Sequence, residues 1–365
     1  MNSHSGNLNL LAMLGIDKPI IQAPMAGVST PELAATVSNA GGLGSLGVGA
    51  MNADAARKAI RATRALTDKP FNVNVFCHEP AQANEDVERA WSAWLAPAFA
   101  QYGSAPPARP REIYTSFVVD RAMQTMLVEE RPAVVSFHFG LPPAEVIAEF
   151  KQAGIKLVAS VTSVDEAERA QTAGVDALVA QGIEAGGHRG AFDPDVDEQL
   201  GTFALTRLLV RACRVPVIAA GGIMDGAGIV AALALGAQAA QLGTAFVACV
   251  ESAIDDGYRR ALLSGAAHHT TFTKAISGRL ARSIVNRFTA LGDDPRAPQI
   301  PAYPIAYDTG KSLHAVAKAK GEFGYGAQWA GQAAALARGL PAAVLFAQLE
   351  DEMRASVKAL ADIPI

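Results

Sequence analysis

The sequence predicts an α/β fold, a closed (β/α)8 or TIM barrel with a helical insertion or lid near the C-terminus. Three observations predict it. Eight short apolar runs, each closed by glycine or polar residues, recur over about the first 250 residues, the span such barrels take. Helix-like segments with start signals lie between most of them. The runs are apolar on both faces, as strands buried between helical layers are, so strand–helix–strand order means parallel pairing through right-handed crossovers. A doubly wound open sheet is the alternative.

The runs, in order, are PIIQAPMAG (19–27), GGLGSLGVG (41–49), FNVNVF (71–76), AVVSFHFG (133–140), KLVASVTS (156–163), DALVAQGIEAGG (176–187), VPVIAAGGI (215–223) and AAQLGTAF (239–246). Thr30-Pro31-Glu32 opens the helix LAATVSNAGG with a capping hydroxyl, a proline at the first helical position and an acid in the first turn. Asp165 before EAERAQTAG and Asp225 before GAGIVAALALG repeat the start signal, and glycines end the helices.

Two regions leave the repeat. Residues 77–130, with the proline-rich SAPPARPRE, lengthen the loop after the third strand. Residues 255–335 become polar and aromatic without a continuing strand repeat, which reads as a helical substrate-covering unit over a barrel of residues 1–254; residues 336–365 return as a helix on the barrel wall.

Composition excludes several classes. A net charge of −4, with no long Lys/Arg run, gives no electrostatic footprint for nucleic acid. Cys77, Cys213 and Cys249 are scattered, without CxxC spacing, so neither a disulfide framework nor a metal site is expected, and a cytoplasmic location fits. The amino-terminal stretch lacks the pattern of a signal peptide. Residues 228–250 carry no formal charge, yet Gln238, Gln241 and interior glycines make them a helix, a turn and a short strand rather than a membrane span.

Barrel active sites lie where strands end, and here the exits are rich in glycine. One such glycine is an ordinary turn; recurrence at nearly every exit points to main chain approaching a flat ring or a phosphate. AAGGIMDG (219–226) and QLGTAF (241–246) put small residues where barrels bind phosphate, and no GxGxxG favours a dinucleotide in an open sheet. Asn72 and Asn74 share one strand face; they bond either to neighbouring strands or to a ring edge such as a flavin pyrimidine, and Gln181 invites the same two readings. His138 and His188 fall at strand exits, the latter after two glycines, where an imidazole serves as acid, base or hydrogen-bond donor. Glu184 and Arg189 read as structural partners of that loop. Tyr303, Tyr307 and Lys311 stand at i, i+4, i+8, either a solvated helix face or a grip for a small carboxylate or nitro group.

Four ordered blocks, PIIQAPMAG with SNAGGLGSLG, NVNVF, LVAQGIEAGGHRGAF and VPVIAAGGIMDGAGIVAALALGAQAAQLGTAFVACVES, resemble the nitronate monooxygenases, formerly called 2-nitropropane dioxygenases, and among them class I. Single blocks also resemble FMN-dependent enoyl-ACP reductases. The resemblance implies non-covalent FMN and oxidation of alkyl nitronates, propionate 3-nitronate foremost, by O2 to a carbonyl compound plus nitrite or nitrate. It implies passage through an anionic flavosemiquinone and a detoxifying role.

By the same resemblance, FMN contacts fall on Ala23, Pro24, Met25, Asn72, Gln181, Gly186, Gly187, Gly221, Gly222, Gln241, Leu242, Gly243 and Thr244. His188 is the catalytic histidine, expected to steady negative charge and only secondarily to take a proton. His138, Tyr303, Tyr307 and Lys311 bind substrate. The partners expected are a small nitronate and O2, with no nucleic acid, metal or membrane; a homo-oligomer is compatible with the sequence. The competing readings are an NADH-dependent enoyl-ACP reductase, for which neither a carrier-protein surface nor a nicotinamide signature stands out, and a flavin-binding barrel that senses without turnover.

Overall fold

Each of the eight apolar runs forms a parallel strand in the computed structural model, which describes residues 9–363. Residues 1–8 and 364–365, and with them part of the signal-peptide reading and the outer ends of the two terminal units, lie outside the described residues. In chain order the strands are β1 (Ile20–Gln22), β2 (Gly44–Gly47), β3 (Phe71–Phe76), β4 (Val134–His138), β5 (Lys156–Val161), β6 (Ala177–Gln181), a two-residue β7 (Gly187–His188), β8 (Val217–Ala220) and β9 (Ala239–Leu242). All but β7 form one parallel sheet in the order β1-β9-β8-β6-β5-β4-β3-β2. A parallel bridge from Ile21 to Leu43 closes the ring, with Gln22 N donating to the Leu43 carbonyl at 3.0 Å and Leu43 N to the Ile20 carbonyl at 3.1 Å.

Side-chain alternation sorts the barrel into an inner and an outer face. Outward residues such as Val73, Val135, Leu157 and Leu178 join helix residues such as Ile60, Leu127 and Leu205 in one buried cluster. Inward residues change along the barrel axis. Ile21, Leu43, Val134, Val158, Ile218 and Ala239 meet Leu10 and Leu14 of the helix Leu10–Leu14, which plugs that end with apolar side chains. Further along β3 and β4 the inward positions turn polar, at Asn72, Asn74 and Ser136, so the barrel has a dry floor and a hydrogen-bonding mouth.

The start signals act as capping chemistry predicts. Thr30 Oγ1 accepts from Leu33 N at 3.0 Å and Asp225 Oδ1 from Gly228 N at 2.8 Å. Asp165 is not a cap: the helix Val164–Ala173 begins earlier, and Ser163 Oγ accepts from Glu166 N at 3.2 Å. Residues 228–250 resolve into the end of the helix Gly226–Ala234, a turn at Gly236, β9 and the short helix Thr244–Val247. Among the described residues no helix is long and apolar enough to cross a membrane.

The cover is not purely helical, contrary to the sequence expectation. It contains β10 (Thr270–Thr273) and β11 (Ala281–Ile284), antiparallel to each other, and β11 also pairs with β7, setting Ala281 opposite His188. TTFT and ARSI are four-residue stretches with mixed polarity, too short to stand out as strands. The helices Glu85–Ala100 and Ile305–Lys318 pack through Trp91, Leu95, Phe99, Leu313 and Ala317. The last helix, Ala342–Ala361, sets Leu345, Phe346 and Leu349 against Leu33, Val37 and Ile229.

Candidate active site

The C-terminal ends of the barrel strands open into a cavity of about 700 Å³. Its barrel side is mostly main chain and small side chains, from Ala23–Gly27, Gly221–Gly222 and Gly243–Thr244. Gly221 (φ 121°) and Gly222 (φ 70°) adopt left-handed conformations that favour glycine. The opposite wall is aromatic and basic: Tyr114, Tyr303, Tyr307, Lys311 and Trp329.

The loop after β6 carries His188 and is fixed from several sides. Gln181 Nε2 donates to the His188 carbonyl at 3.0 Å, while Gln181 Oε1 accepts from Gly190 N at 2.7 Å and from Arg189 Nη1 at 3.2 Å. Arg189, 2% exposed, is paired with Asp197 at 2.7 Å, and Glu184 accepts from Thr202 N at 2.8 Å and Thr202 Oγ1 at 2.8 Å. Both therefore shape the loop, as the sequence suggested. A Cβ on Gly186 would lie 2.5 Å from Gly331 N, and Gly187 has φ 75°, so this double glycine serves close main-chain passage and a left-handed turn.

The His188 ring lies in an aromatic box. Trp329 is 5.0 Å away between ring centroids, Tyr303 5.4 Å and Phe139 5.6 Å. His188 Nε2 is 2.8 Å from Ser277 Oγ, and His138 Nε2 is 3.4 Å from the His188 carbonyl, which that nitrogen reaches as a donor. Burial pulls the His188 imidazole down to about 3, and His138, Arg279 and His78 add to the depression. Burial and then Arg279 hold His138 at about 3 as well. Both rings are uncharged at neutral pH.

Lys311 Nζ sits 4.8 Å from the Tyr114 ring centroid and 5.1 Å from that of Tyr307, and makes no ion pair among the described residues. Burial pulls its ammonium below the ordinary value, with Asp308 opposing. Burial pushes the Tyr307 phenol up to about 12. The Tyr303 hydroxyl is buried without a hydrogen-bond partner among the described residues, an arrangement that costs free energy unless a ligand satisfies it. Tyr303 does not share the helix with Tyr307 and Lys311, because the helix starts at Ile305 after Pro304, yet all three line the cavity.

Of the residues picked out in the sequence, Ala23, Pro24, Met25, His138, Gln181, Gly186, Gly187, His188, Gly221, Gly222, Gln241, Gly243, Thr244, Tyr303, Tyr307 and Lys311 line this cavity. Two do not. Leu242 points into the apolar cluster behind the sheet, and its carbonyl accepts from Ala23 N at 2.9 Å. Asn72 lies one inward layer deeper, its Nδ2 donating to Ser136 Oγ at 2.9 Å and Ser45 Oγ at 3.2 Å; Asn74 takes the wall position. Gln181 lines the cavity, but its amide is committed to the His188 loop. The sequence reading missed Tyr114, Trp329, Ser277 and Phe139. Tyr114 and Trp329 belong to the two non-repeating regions, where no periodicity marks a facing residue. Phe139 directly follows His138 and carries φ 73°, an outlier for a bulky side chain.

A family model described as nitronate monooxygenase matches residues 7–352. The chain is 72% identical over 361 residues to a protein named nitronate monooxygenase from Paraburkholderia phytofirmans, covering 99% of each. It is 53% identical over 343 residues to one of the same name from Pseudomonas aeruginosa, covering 94% of this chain and 98% of that one. Among solved structures it is similar to a nitroalkane oxidase from Streptomyces ansochromogenes, with TM-score 0.88, 40% identity and coverage of 96% and 99%. FabK from Thermotoga maritima is similar at TM-score 0.74 and 31% identity, with coverage of 98% and 99%.

Proposed function

The chain belongs to the nitronate monooxygenase family, and from that premise we propose that it catalyses FMN-dependent oxidation of alkyl nitronates by O2. In this reading propionate 3-nitronate is the preferred substrate, and the products are the carbonyl compound plus nitrite or nitrate. The observation that carries it is a cavity with glycine main chain on one wall and, on the other, an ammonium and a phenol that have no counter-ion and no hydrogen-bond partner among the described residues.

The residues present fit FMN. The cavity volume falls in the range of about 300 to 1,000 Å³ usual for cofactor pockets. Main chain at Ala23–Met25, Gly221–Gly222 and Gly243–Thr244, with the amides of Asn74 and Gln241, would hold it. When bound, FMN would supply the electron acceptor that O2 reoxidises.

The chain's own residues bind and orient. A nitronate is already a carbanion, so no strong base is required, and an imidazole with so low a proton affinity as His188 is a weak one. Neutral His188 instead steadies the nitronate oxygens as a hydrogen-bond donor from Nδ1, with Ser277 hydroxyl donating to Nε2. Lys311 and the Tyr303 hydroxyl take the substrate carboxylate, and the aromatic wall keeps water out.

The test is to purify the protein, identify the released flavin, and follow O2 uptake with propionate 3-nitronate without NADH, beside NADH oxidation with a crotonyl thioester. Rapid uptake with nitronate alone is expected. NADH oxidation with the thioester and no response to nitronate would replace this reading with the reductase one; flavin release with neither activity would favour a binding protein.

A further inference from the structure

Behind the aromatic wall lies a charge that the proposed chemistry does not use. Arg279 is 6% exposed. Its guanidinium carbon sits 4.3 Å from the Phe139 ring centroid, one terminal nitrogen donates to the Ala191 carbonyl, and Nε has no partner among the described residues. It makes no ion pair among the described residues, and the acids around it are engaged elsewhere. Asp195 is 3.6 Å from Lys274, Asp193 Oδ1 accepts from Asp195 N at 2.9 Å, and Glu166 accepts from Thr162 N at 2.6 Å and Phe192 N at 2.7 Å. Burying a guanidinium without a carboxylate is costly, so a fold that retains one there calls for an account.

Phe139 connects this charge to the site. Its ring is 4.4 Å from that of His138, 5.5 Å from Tyr303, 5.6 Å from His188 and 6.3 Å from His78. Arg279 also ends the turn whose Ser277 holds His188, since Ser277 Oγ lies 3.1 Å from the Arg279 carbonyl. We propose that Arg279 is a positioning residue that acts through its charge: it keeps His188, His138 and His78 in their neutral forms and makes the cavity electrically positive toward an anionic substrate. The substrate half rests on the nitronate reading above; the histidine half does not.

Each of the three imidazoles is depressed first by burial, and Arg279 contributes to all three. The other groups around His188 are Tyr303, then Tyr307 and Lys311 on the helix Ile305–Lys318, and Arg189 in its own loop. Glu166, Asp193, Asp195 and Tyr303 act on Arg279 in the opposite sense, raising its proton affinity, while burial brings it to about 10. It remains a cation at neutral pH. It has no counter-ion among the described residues, its field is opposed by those more distant groups, and a fixed charge in a low-dielectric wall acts strongly on neighbours.

Selective isotope labelling of histidine in the purified holoprotein tests this, with His188 assigned by comparison with His188→Asn. In the wild type the His188 imidazole stays neutral well below its ordinary midpoint; a midpoint near 6.5 overturns the proposal without any variant. In Arg279→Gln the midpoint rises by about one pH unit, burial holding back the rest, and Arg279→Lys returns it toward the wild-type value. In oxygen uptake, KM for propionate 3-nitronate rises about tenfold in Arg279→Gln while kcat changes less. An unchanged midpoint in folded Arg279→Gln, or in Arg279→Met should the first not fold, overturns the proposal. Absence of nitronate turnover in the wild type would defeat the functional reading and leave the histidine titration to decide the role of Arg279.

Discussion

His188 Nε2 and Ser277 Oγ are 2.8 Å apart, joining a barrel-exit loop to a turn in the cover. Ser277 is fully buried and its Oγ is also 3.1 Å from the Arg279 carbonyl, so the hydroxyl proton has two acceptors to choose between. Which it takes decides whether His188 offers a donor or a lone pair to the cavity. Ser277→Ala removes that control, and kcat/KM for a nitronate is expected to fall about tenfold, the cost of one hydrogen bond of about 1.4 kcal/mol. Unchanged oxygen-uptake kinetics in this variant would show that the contact does not orient the ring.

In the proposed reading Lys311, between the rings of Tyr114 and Tyr307, takes the substrate's carboxylate while His188 takes its nitronate. Lys311→Met keeps the aliphatic stem and removes the charge. KM for propionate 3-nitronate is expected to rise at least about tenfold, with propane 2-nitronate, which has no carboxylate, changing about twofold or less. Equal losses for both substrates would assign Lys311 to the nitronate or to packing.

The eight strands were legible because both faces of a parallel barrel strand are buried, which leaves unbroken apolar runs, and because most exits end in glycine. Depth along a strand was not. Asn72 and Asn74 share a face, and nothing in FNVNVF says which meets the cavity; the level of the dry floor below decides it. The cover was legible as a departure from the repeat, not as a structure. Its two strands pair with each other, with β7 and, through a bridge from Ser283, with Trp329, all of which is long-range information. Tyr114 was hidden for the same reason: it reaches the site from the loop after β3, packed on Tyr307 at 5.8 Å between centroids.

Asn74 tests that difference in depth. Asn74→Ala strips an amide from the cavity wall, and the protein is expected to bind FMN about tenfold more weakly in flavin titrations of the stripped protein; because Asn74 Nδ2 also donates to Ser136 Oγ at 2.9 Å and to the Ser136 carbonyl at 3.1 Å, its flavin-free melting temperature falls as well. Asn72→Ala instead removes the donor to Ser45 Oγ and one of the two amide donors to Ser136 Oγ, and should lower the flavin-free melting temperature while leaving flavin affinity little changed. The opposite pattern would return Asn72 to the cofactor.

His78 supplies a reading of acid stability that is separable from catalysis. It is 1% exposed, neither ring nitrogen has a partner among the described residues, and it packs edge-on against Tyr303 at 4.9 Å. Burial, then Arg279, lowers it from 6.5 to about 4. Between those values the unfolded chain binds a proton that the folded chain refuses. The stability tied to His78 is therefore whole above about 6.5 and is lost as pH falls toward about 4. From pH 6.5 to pH 5 one such group costs about 2 kcal/mol, an interval in which ordinary carboxylates still change little. His78→Phe keeps an aromatic ring against Tyr303 and removes the titration. Urea unfolding at both pH values should show the wild type losing about 2 kcal/mol more than the variant; equal losses would mean that His78 takes up its proton in the folded chain as readily as in the unfolded one.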